Sequence, residues 1–329
     1  MYDIITFGSA TRDIFLTPGN FKRVIDKKKF ITGKGICFNL GSKVDIKEIL
    51  FSSGGGGTNT AATFAKQGLR TAYCGAVGTD LTGQEIINEL GEKEISTQFV
   101  FKKRGRPTSH SIVITGVGND RTILVYRGAS ELLLREDIPF DQLRTKWFYI
   151  APLSGKLCDI FEPLVDFGRK KGIKIAANPG NSQISLPEKK LKKILEKIDV
   201  LILNQEEASL LTRVPFSREK EIFKKIDKIC PGIAIMTKGE KGVLVSDGKN
   251  IFSAKPPKIK AADRTGAGDS FASGFVSGLF QTDGNITYAI QLGIANASAC
   301  IKKLGSKNGL LSKDENFLRV KVKRENTLK

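Results

Sequence analysis

The sequence predicts an α/β fold: a central, mostly parallel sheet with helices on both faces, plus a small inserted β-sheet lid. Two observations carry this. Short β-branched or aromatic runs alternate with helix-like segments along most of the chain, the pattern of parallel strands joined by crossover helices. Residues 13–52 and 97–127 break that rhythm, because strand-like runs follow one another there with no helix between them. A small sheet inserted twice from the main body fits this, and a flap over a cleft is a natural use for one. The expected division is a core of residues 1–12, 53–96 and 128–320, a lid of 13–52 and 97–127, and a frayed tail of 321–329.

In chain order, "YDIITFG" reads as a first buried strand. Thr58 to Gln67 reads as a helix stopped by Gly68, and "RTAYCGAVG" as the next strand. Asp80 is placed to cap a helix running to about Leu90. "KWFYIAP", "GIKIAANPG", "DVLILN" and "GIAIMTKG" supply further strands. "EKKLKKILEK" and "EIFKKIDKI" have the spacing of amphipathic helices with solvated basic faces. The lid strands are "GICFNLG", "VDIKEILFSS", "TQFVFKKRG", "TSHSIVITG" and "RTILVYRGA", expected to form an antiparallel sheet.

The bulk numbers narrow the classes. A chain of 329 residues, 40% apolar and 26% charged, is ordinary globular material for one or two domains. No stretch approaches the roughly 18 apolar residues of a membrane span, and the N-terminus lacks the basic region and cleavage site of a signal peptide. Five scattered cysteines without a CxxC pair argue against a disulfide framework and a zinc site, so a cytoplasmic setting is expected. One histidine, His110, excludes a His-based metal cluster. A net charge of +19 raises nucleic-acid binding as a reading. The lysines are dispersed, however, as in "DKKKF", and no basic stripe interleaves with aromatics.

Two glycine-rich stretches hold the chemistry. In "AADRTGAGDSFASGF", Gly266, Ala267 and Gly268 precede an apolar-periodic helix from about Ser270 to Leu279. Backbone N–H groups left uncovered at a helix N-terminus form an anion site. Asp269 stands at the same terminus. Alone it reads as a capping residue, but beside such a turn a carboxylate can deprotonate a hydroxyl attacking a held phosphoryl group. The other stretch, "SSGGGGTNTA", lacks the lysine of a Walker-type phosphate loop. It joins a strand to a helix, so its glycines are expected to let a polyol approach the backbone, with Asn59 as donor and acceptor.

Together these stretches resemble the ribokinase family, the PfkB-type carbohydrate kinases. "DRTGAGDSFASGF" is similar to the family's C-terminal D-T-x-G-A-G-D signature, and Gly54, Gly55, Gly57 and Asn59 to its G-G-x-G-x-N signature. The resemblance runs to the "GSKNGLL" loop near Gly305 and implies a ribokinase-like fold with ATP-dependent phosphorylation of a sugar or nucleoside hydroxyl. It implies Asp269 as general base and Gly266, Ala267 and Gly268 as anion hole. Asn204 and Glu207 in "LNQEEASLL" resemble an N-x-x-E motif acting on Mg²⁺ and the phosphates, partly through water. Asn204 reads equally as a helix cap. "MTKGEKGV" resembles the nucleotide-binding turn, implicating Thr237, Lys238, Gly239 and Gly242, and reads otherwise as a plain hairpin. Asp263 and Thr265 match a monovalent-cation site, K⁺ in relatives. Asp13 matches the family's sugar-binding acid, with Thr11 beside it, and Thr108 and Ala129 are expected to face the same cleft.

Departures from the pattern leave the acceptor open. Thr11 stands where ribokinases tend to have asparagine, Gly56 where they have lysine, Asn178 where an acid is usual, and Arg264 where threonine is usual. The readings that stand are a sugar kinase, a nucleoside (adenosine-like) kinase, or a non-catalytic ribokinase-like protein that binds nucleic acid or a partner. Pairing of lids into a homodimer is a further expectation.

Overall fold

The computed structural model describes residues 1–18, 22–26, 34–115 and 121–326. Most of the "DKKKF" run and short parts of the expected lid lie outside them.

Ten strands form the main sheet: β1 (Tyr2–Phe7), β6 (Thr71–Gly78), β7 (Ser96–Lys103), β10 (Thr145–Ile150), β11 (Lys174–Ala177), β12 (Val200–Asn204), β13 (Ile233–Thr237), β14 (Val243–Ser246), β15 (Asn250–Ala254) and β16 (Val322–Asn326). Their order is β16-β15-β14-β13-β12-β11-β10-β1-β6-β7. The strands from β13 to β7 run parallel, and β14, β15 and β16 extend them antiparallel. Helices α1 (Gly56–Lys66), α2 (Leu81–Glu92), α3 (Phe161–Lys170), α4 (Asn181–Ile184), α5 (Glu188–Leu195), α6 (Gln205–Thr212), α7 (Glu219–Ile229), α8 (Ala267–Gln281) and α9 (Ile286–Cys300) complete the core.

The parallel strands are near-continuous apolar runs because both of their faces are covered. β10 illustrates this. Phe148 and Ile150 pack with Phe161, Leu164 and Ile194 on one side, while Trp147 and Tyr149 pack with Phe64, Phe271 and Phe275 on the other. From β1 the chain proceeds to β6 and β7 on one flank and returns through β10 on the other. This reversal opens a crevice at the carboxyl ends of β1 and β10, where open α/β sheets bind ligands. The N-terminus of α1 sits at that crevice: the Gly57 N–H donates to Ser9 O at 3.2 Å, and the Ala151 N–H donates to Phe7 O at 2.9 Å.

The lid is a four-stranded sheet, β5-β2-β8-β9, made of β5 (Ile46–Gly54), β2 (Thr11–Pro18), β8 (Ser109–Thr115) and β9 (Arg121–Tyr126). A separate ribbon pairs β3 (Lys22–Ile25) with β4 (Lys34–Cys37). The lid is mixed rather than antiparallel, since β2 and β8 run parallel. Its inner face carries Thr11, Asp13 and Phe15, in register with Ser109, Ser111 and Val113.

Three boundaries differ from the sequence expectation. "TQFVFKKRG" belongs to the main sheet as β7 and not to the lid: Phe99 is fully buried in the core, and the strand pairs with β6. Residues 322–326 of the expected tail are not frayed, because β16 pairs with β15 there, and residues 327–329 lie outside the described residues. The charged, exposed side chains of β16 suit a sheet edge, where backbone pairing needs no apolar pattern. Thr11 and Arg12, assigned to the core, already belong to lid strand β2, and Ser53 and Gly54 end lid strand β5.

Candidate active site

The two glycine-rich stretches meet at the crevice. α8 begins at Ala267 after Gly266, whose φ of 74° lies in the left-handed region that glycine tolerates. A Cβ at Gly266 would also fall 2.4 Å from Ser306 Cβ. At Gly268 a Cβ would meet nothing within 4 Å, so the first turn of α8 is uncovered on that side, although the Ala267 N–H donates to Arg264 O at 3.4 Å.

Asp269, in that first turn, is linked to the other stretch. Asn59 on α1 donates through Nδ2 to Asp269 Oδ2 at 2.8 Å, and Ser306 donates to Asn59 Oδ1 at 2.8 Å. The serine therefore orients the amide so that its N–H₂ faces the carboxylate. Enclosure by protein raises the Asp269 pKa, and the Asn59 hydrogen bond partly offsets this. A carboxylate with a raised pKa at a helix N-terminus is chemically suited to act as a general base.

Asp13 is buried on the lid's inner face and accepts a hydrogen bond from Ser111 on β8. Burial raises its pKa, and Ser111 and the Lys307 ammonium pull it back. A Cβ at Gly54 would lie 2.0 Å from Asp13 Oδ2. This glycine thus makes room for Asp13 itself rather than for a ligand. Gly55 is the N-cap of α1, and Gly56 and Gly57 form its first turn. The Gly56 Cβ position is hemmed by Ala151, Pro152 and, at 3.7 Å, Asp269 Oδ1.

Lys307 is absent from the expected site. It lies on the loop after α9 and is 7% exposed, donating to Ser53 Oγ at 2.7 Å with Glu89 Oε1 on α2 at 3.8 Å. Burial lowers its pKa to about 8 against the pull of Glu89 and Asp13. The same loop donates the Gly305 N–H to Asp263 Oδ2 at 3.2 Å. Asp263 Oδ1 accepts from the Thr265 N–H at 2.9 Å and hydroxyl at 2.8 Å, so the two expected cation residues are joined to each other.

On the other flank, Asn204 and Glu207 form a reciprocal capping box on α6. The Asn204 N–H donates to Glu207 Oε2 and the Glu207 N–H to Asn204 Oδ1, both at 2.8 Å. Burial raises the Glu207 pKa, opposed by the Asn204 amide and by the nearby Asn178, whose own amide donates to Ile202 O at 2.9 Å. The Tyr149 hydroxyl is fully buried, and the Asp269 and Glu207 carboxylates add to the effect of burial in raising its pKa. Among the described residues no three His, Cys, Asp or Glu gather as a metal cage. A single carboxylate with amide neighbours does fit Mg²⁺ held through its waters.

Beyond this lies a cavity of about 590 Å³, lined by Thr237, Gly239, Gly242, Phe271, Ala267 and Gly268 among others. Lys238 does not line it, because its ammonium donates to Glu219 Oε1 on α7 at 2.7 Å.

Thr108 and Ala129 also differ from expectation. Both are fully buried. The Thr108 hydroxyl and N–H both go to Asp80, the N-cap of α2, and the hydroxyl accepts from the Gly78 N–H. Ala129 packs in a 3₁₀ turn, Gly128–Leu132, with its N–H on Pro107 O. Ser111 is the lid residue that reaches Asp13. His110 holds the backbone, with Nδ1 2.7 Å from Thr108 O.

A family model for pfkB family carbohydrate kinases matches residues 30–313. A ribokinase of Haemophilus influenzae is 28% identical over 278 residues, covering 80% of this chain and 85% of that protein. A ribokinase of Staphylococcus aureus is 25% identical over 309 residues, 92% and 94% of the two chains. The fold superposes on the ribokinase of Thermotoga maritima with a TM-score of 0.77 at 22% identity, covering 95% and 97% of the chains. The adenosine kinase of Sinorhizobium meliloti gives the same TM-score, identity and coverage. Joined to the Asn59–Asp269 geometry and the ribokinase-like architecture, these matches make the chain a member of the pfkB family of carbohydrate kinases.

Proposed function

We propose that this kinase transfers the γ-phosphoryl group of ATP to a hydroxyl of a sugar or sugar derivative, with Asp269 as general base. The observation that carries the reading is the 2.8 Å bond from Asn59 to Asp269. It joins the Asp13 side of the crevice to the α8 terminus, where an acceptor hydroxyl and a phosphoryl group would meet. Asp13 and Asn59 bind the acceptor's hydroxyls, and the open first turn of α8 holds the phosphoryl oxygens. Asp269 takes the acceptor proton as the new O–P bond forms. The bond from the γ-phosphorus to its bridging oxygen breaks, and ADP leaves. The Gly266 to Gly268 amides stabilise charge developing on the transferring group.

Mg²⁺, held through water at Glu207, would neutralise phosphate charge. Asn204 holds that carboxylate in place. Thr237, Gly239 and Gly242 bind the nucleotide along the 590 Å³ cavity, and Asp263 and Thr265 are the residues for a K⁺ ion beside the anion hole. Free, scattered cysteines suit the cytoplasm, and no helix among the described residues is long and apolar enough to cross a membrane. The outer face of the lid carries an apolar row, Phe51, Ile14, Ile112 and Leu124, in register across four strands. Phe51 and Leu124 are exposed, which supports a homodimer formed through the lids.

The fold likeness to an adenosine kinase keeps a nucleoside acceptor as the second reading. A coupled-ADP screen of ribose, fructose, fructose phosphates, 2-keto-3-deoxygluconate and nucleosides tests both. A free sugar turned over with the highest kcat/KM is the expected result, a nucleoside preference selects the second reading, and no turnover on any hydroxyl sinks both.

A further inference from the structure

Glu240, in the turn after β13, and Arg264, in the loop before α8, both line the 590 Å³ cavity and join its two walls. Arg264 Nη2 lies 2.5 Å from Glu240 Oε1, yet the two side chains are 67% and 81% exposed. An exposed ion pair of this kind is worth about 0–1 kcal/mol, so little holds the arginine on its partner. Phe271, Ile294, Ile301 and Val243 form the cavity's apolar part, while Ala267 and Gly268 bring the N-terminus of α8 to the lining beside Arg264. An apolar floor with an anion-accepting end is complementary to a purine nucleotide. A lone carboxylate at the mouth would repel the phosphates. The arginine cancels that charge in the free enzyme.

We propose that Arg264 is a nucleotide-phosphate ligand, resting on Glu240 in the free enzyme and passing to the phosphate oxygens of the bound nucleotide. This rests on the nucleotide-site reading above. A guanidinium presents a planar fork to phosphate oxygens, and a charge-assisted bond inside a cleft exceeds a solvent-screened pair in strength. Exchange of Glu240 for phosphate gains that difference, reduced by the screened repulsion of the exposed Glu240 carboxylate left at the mouth. Glu240 remains near enough to recapture the arginine as ADP departs.

The test is ADP binding by isothermal titration calorimetry to the full-length protein at two salt concentrations, with acceptor KM as a control. Arg264→Ala and Arg264→Thr are expected to weaken ADP about tenfold or more and to lower the salt dependence. Arg264→Lys is expected to recover part of the loss. Glu240→Gln is expected to tighten ADP, because the arginine is then released without cost. Both positions are exposed, so melting temperatures serve as folding controls. Unchanged ADP affinity in Arg264→Ala overturns the proposal. Equal weakening by Glu240→Gln and Arg264→Ala also overturns it, since the pair would then be a structural clasp. If the wild-type protein binds no adenine nucleotide, the nucleotide-site reading falls first. That outcome is distinct from a wild type that binds and a variant that binds equally well.

Discussion

A Cβ added at Gly54, Gly55 or Gly57 would strike protein: Asp13 Oδ2 at 2.0 Å, Ser9 O at 2.4 Å and Tyr73 Cε2 at 2.6 Å. At Gly268 it would meet nothing within 4 Å. The first stretch therefore uses glycine to let the protein close on itself, setting the Asp13 carboxylate against the start of α1. The second does the same at Gly266, packed against Ser306, but at Gly268 it leaves space empty in the first turn of α8. Glycine content marks a place where a side chain is intolerable, and only the neighbouring atoms tell whether protein or ligand fills the room.

The largest expected effect tests the open stretch. Asp269→Asn should lower kcat by about 10²–10⁴-fold, with melting temperature nearly unchanged. A variant retaining full turnover would remove Asp269 from the chemistry. The pH profile follows from the same residue. Its pKa is raised by burial, so the acid limb of kcat/KM should lie above the ordinary aspartate range near 4. Asn59→Ala removes a hydrogen bond that favours the ionised form, so the limb should move further up in pH.

The contrast itself is sharpened by alanine at one glycine of each stretch. Gly268→Ala should leave the melting temperature unmoved yet reduce kcat/KM by up to about 10²-fold, because the methyl misplaces a phosphoryl group held at the helix terminus. Gly54→Ala should displace Asp13, destabilise the fold by about 1–3 kcal/mol and raise the acceptor KM. If both variants behaved alike in thermal melts, the distinction between filled and open glycines would fail.

Lys307→Met leaves Glu89 and Asp13 without their shared buried cation. A loss of about 3 kcal/mol in a denaturant titration is expected, the low end of the range for breaking a buried pair, since Glu89 keeps some solvent contact. A stability equal to wild type would show that the lysine is not needed as a charge. The smallest effect belongs to Lys238→Ala. Its ammonium serves Glu219, so the variant should cost about 1 kcal/mol or less and leave the KM for ATP within about twofold. A large rise in that KM would return Lys238 to the nucleotide site.

From the sequence alone came the parallel core, the inserted lid, and Asn59 and Asp269 as candidate site residues; their contact came from the structure. The core, the lid and the two residues are legible because β-branched runs, helix caps and glycine turns are local signals, readable within a dozen residues. Only the tertiary structure decided how the polar side chains are spent. Thr108, expected at the cleft, and Lys238, in a nucleotide-turn motif, serve Asp80 and Glu219 instead, while Ser111, Ser306 and Lys307, to which the sequence reading gave no role, contact Asp13, Asn59 and Ser53. A hydroxyl, amide or ammonium is the same residue type whether it holds a helix end or faces a ligand. Its partner is chosen by packing between distant segments, as with Ser306 and Asn59, 247 positions apart, and Lys307 and Ser53, 254 apart.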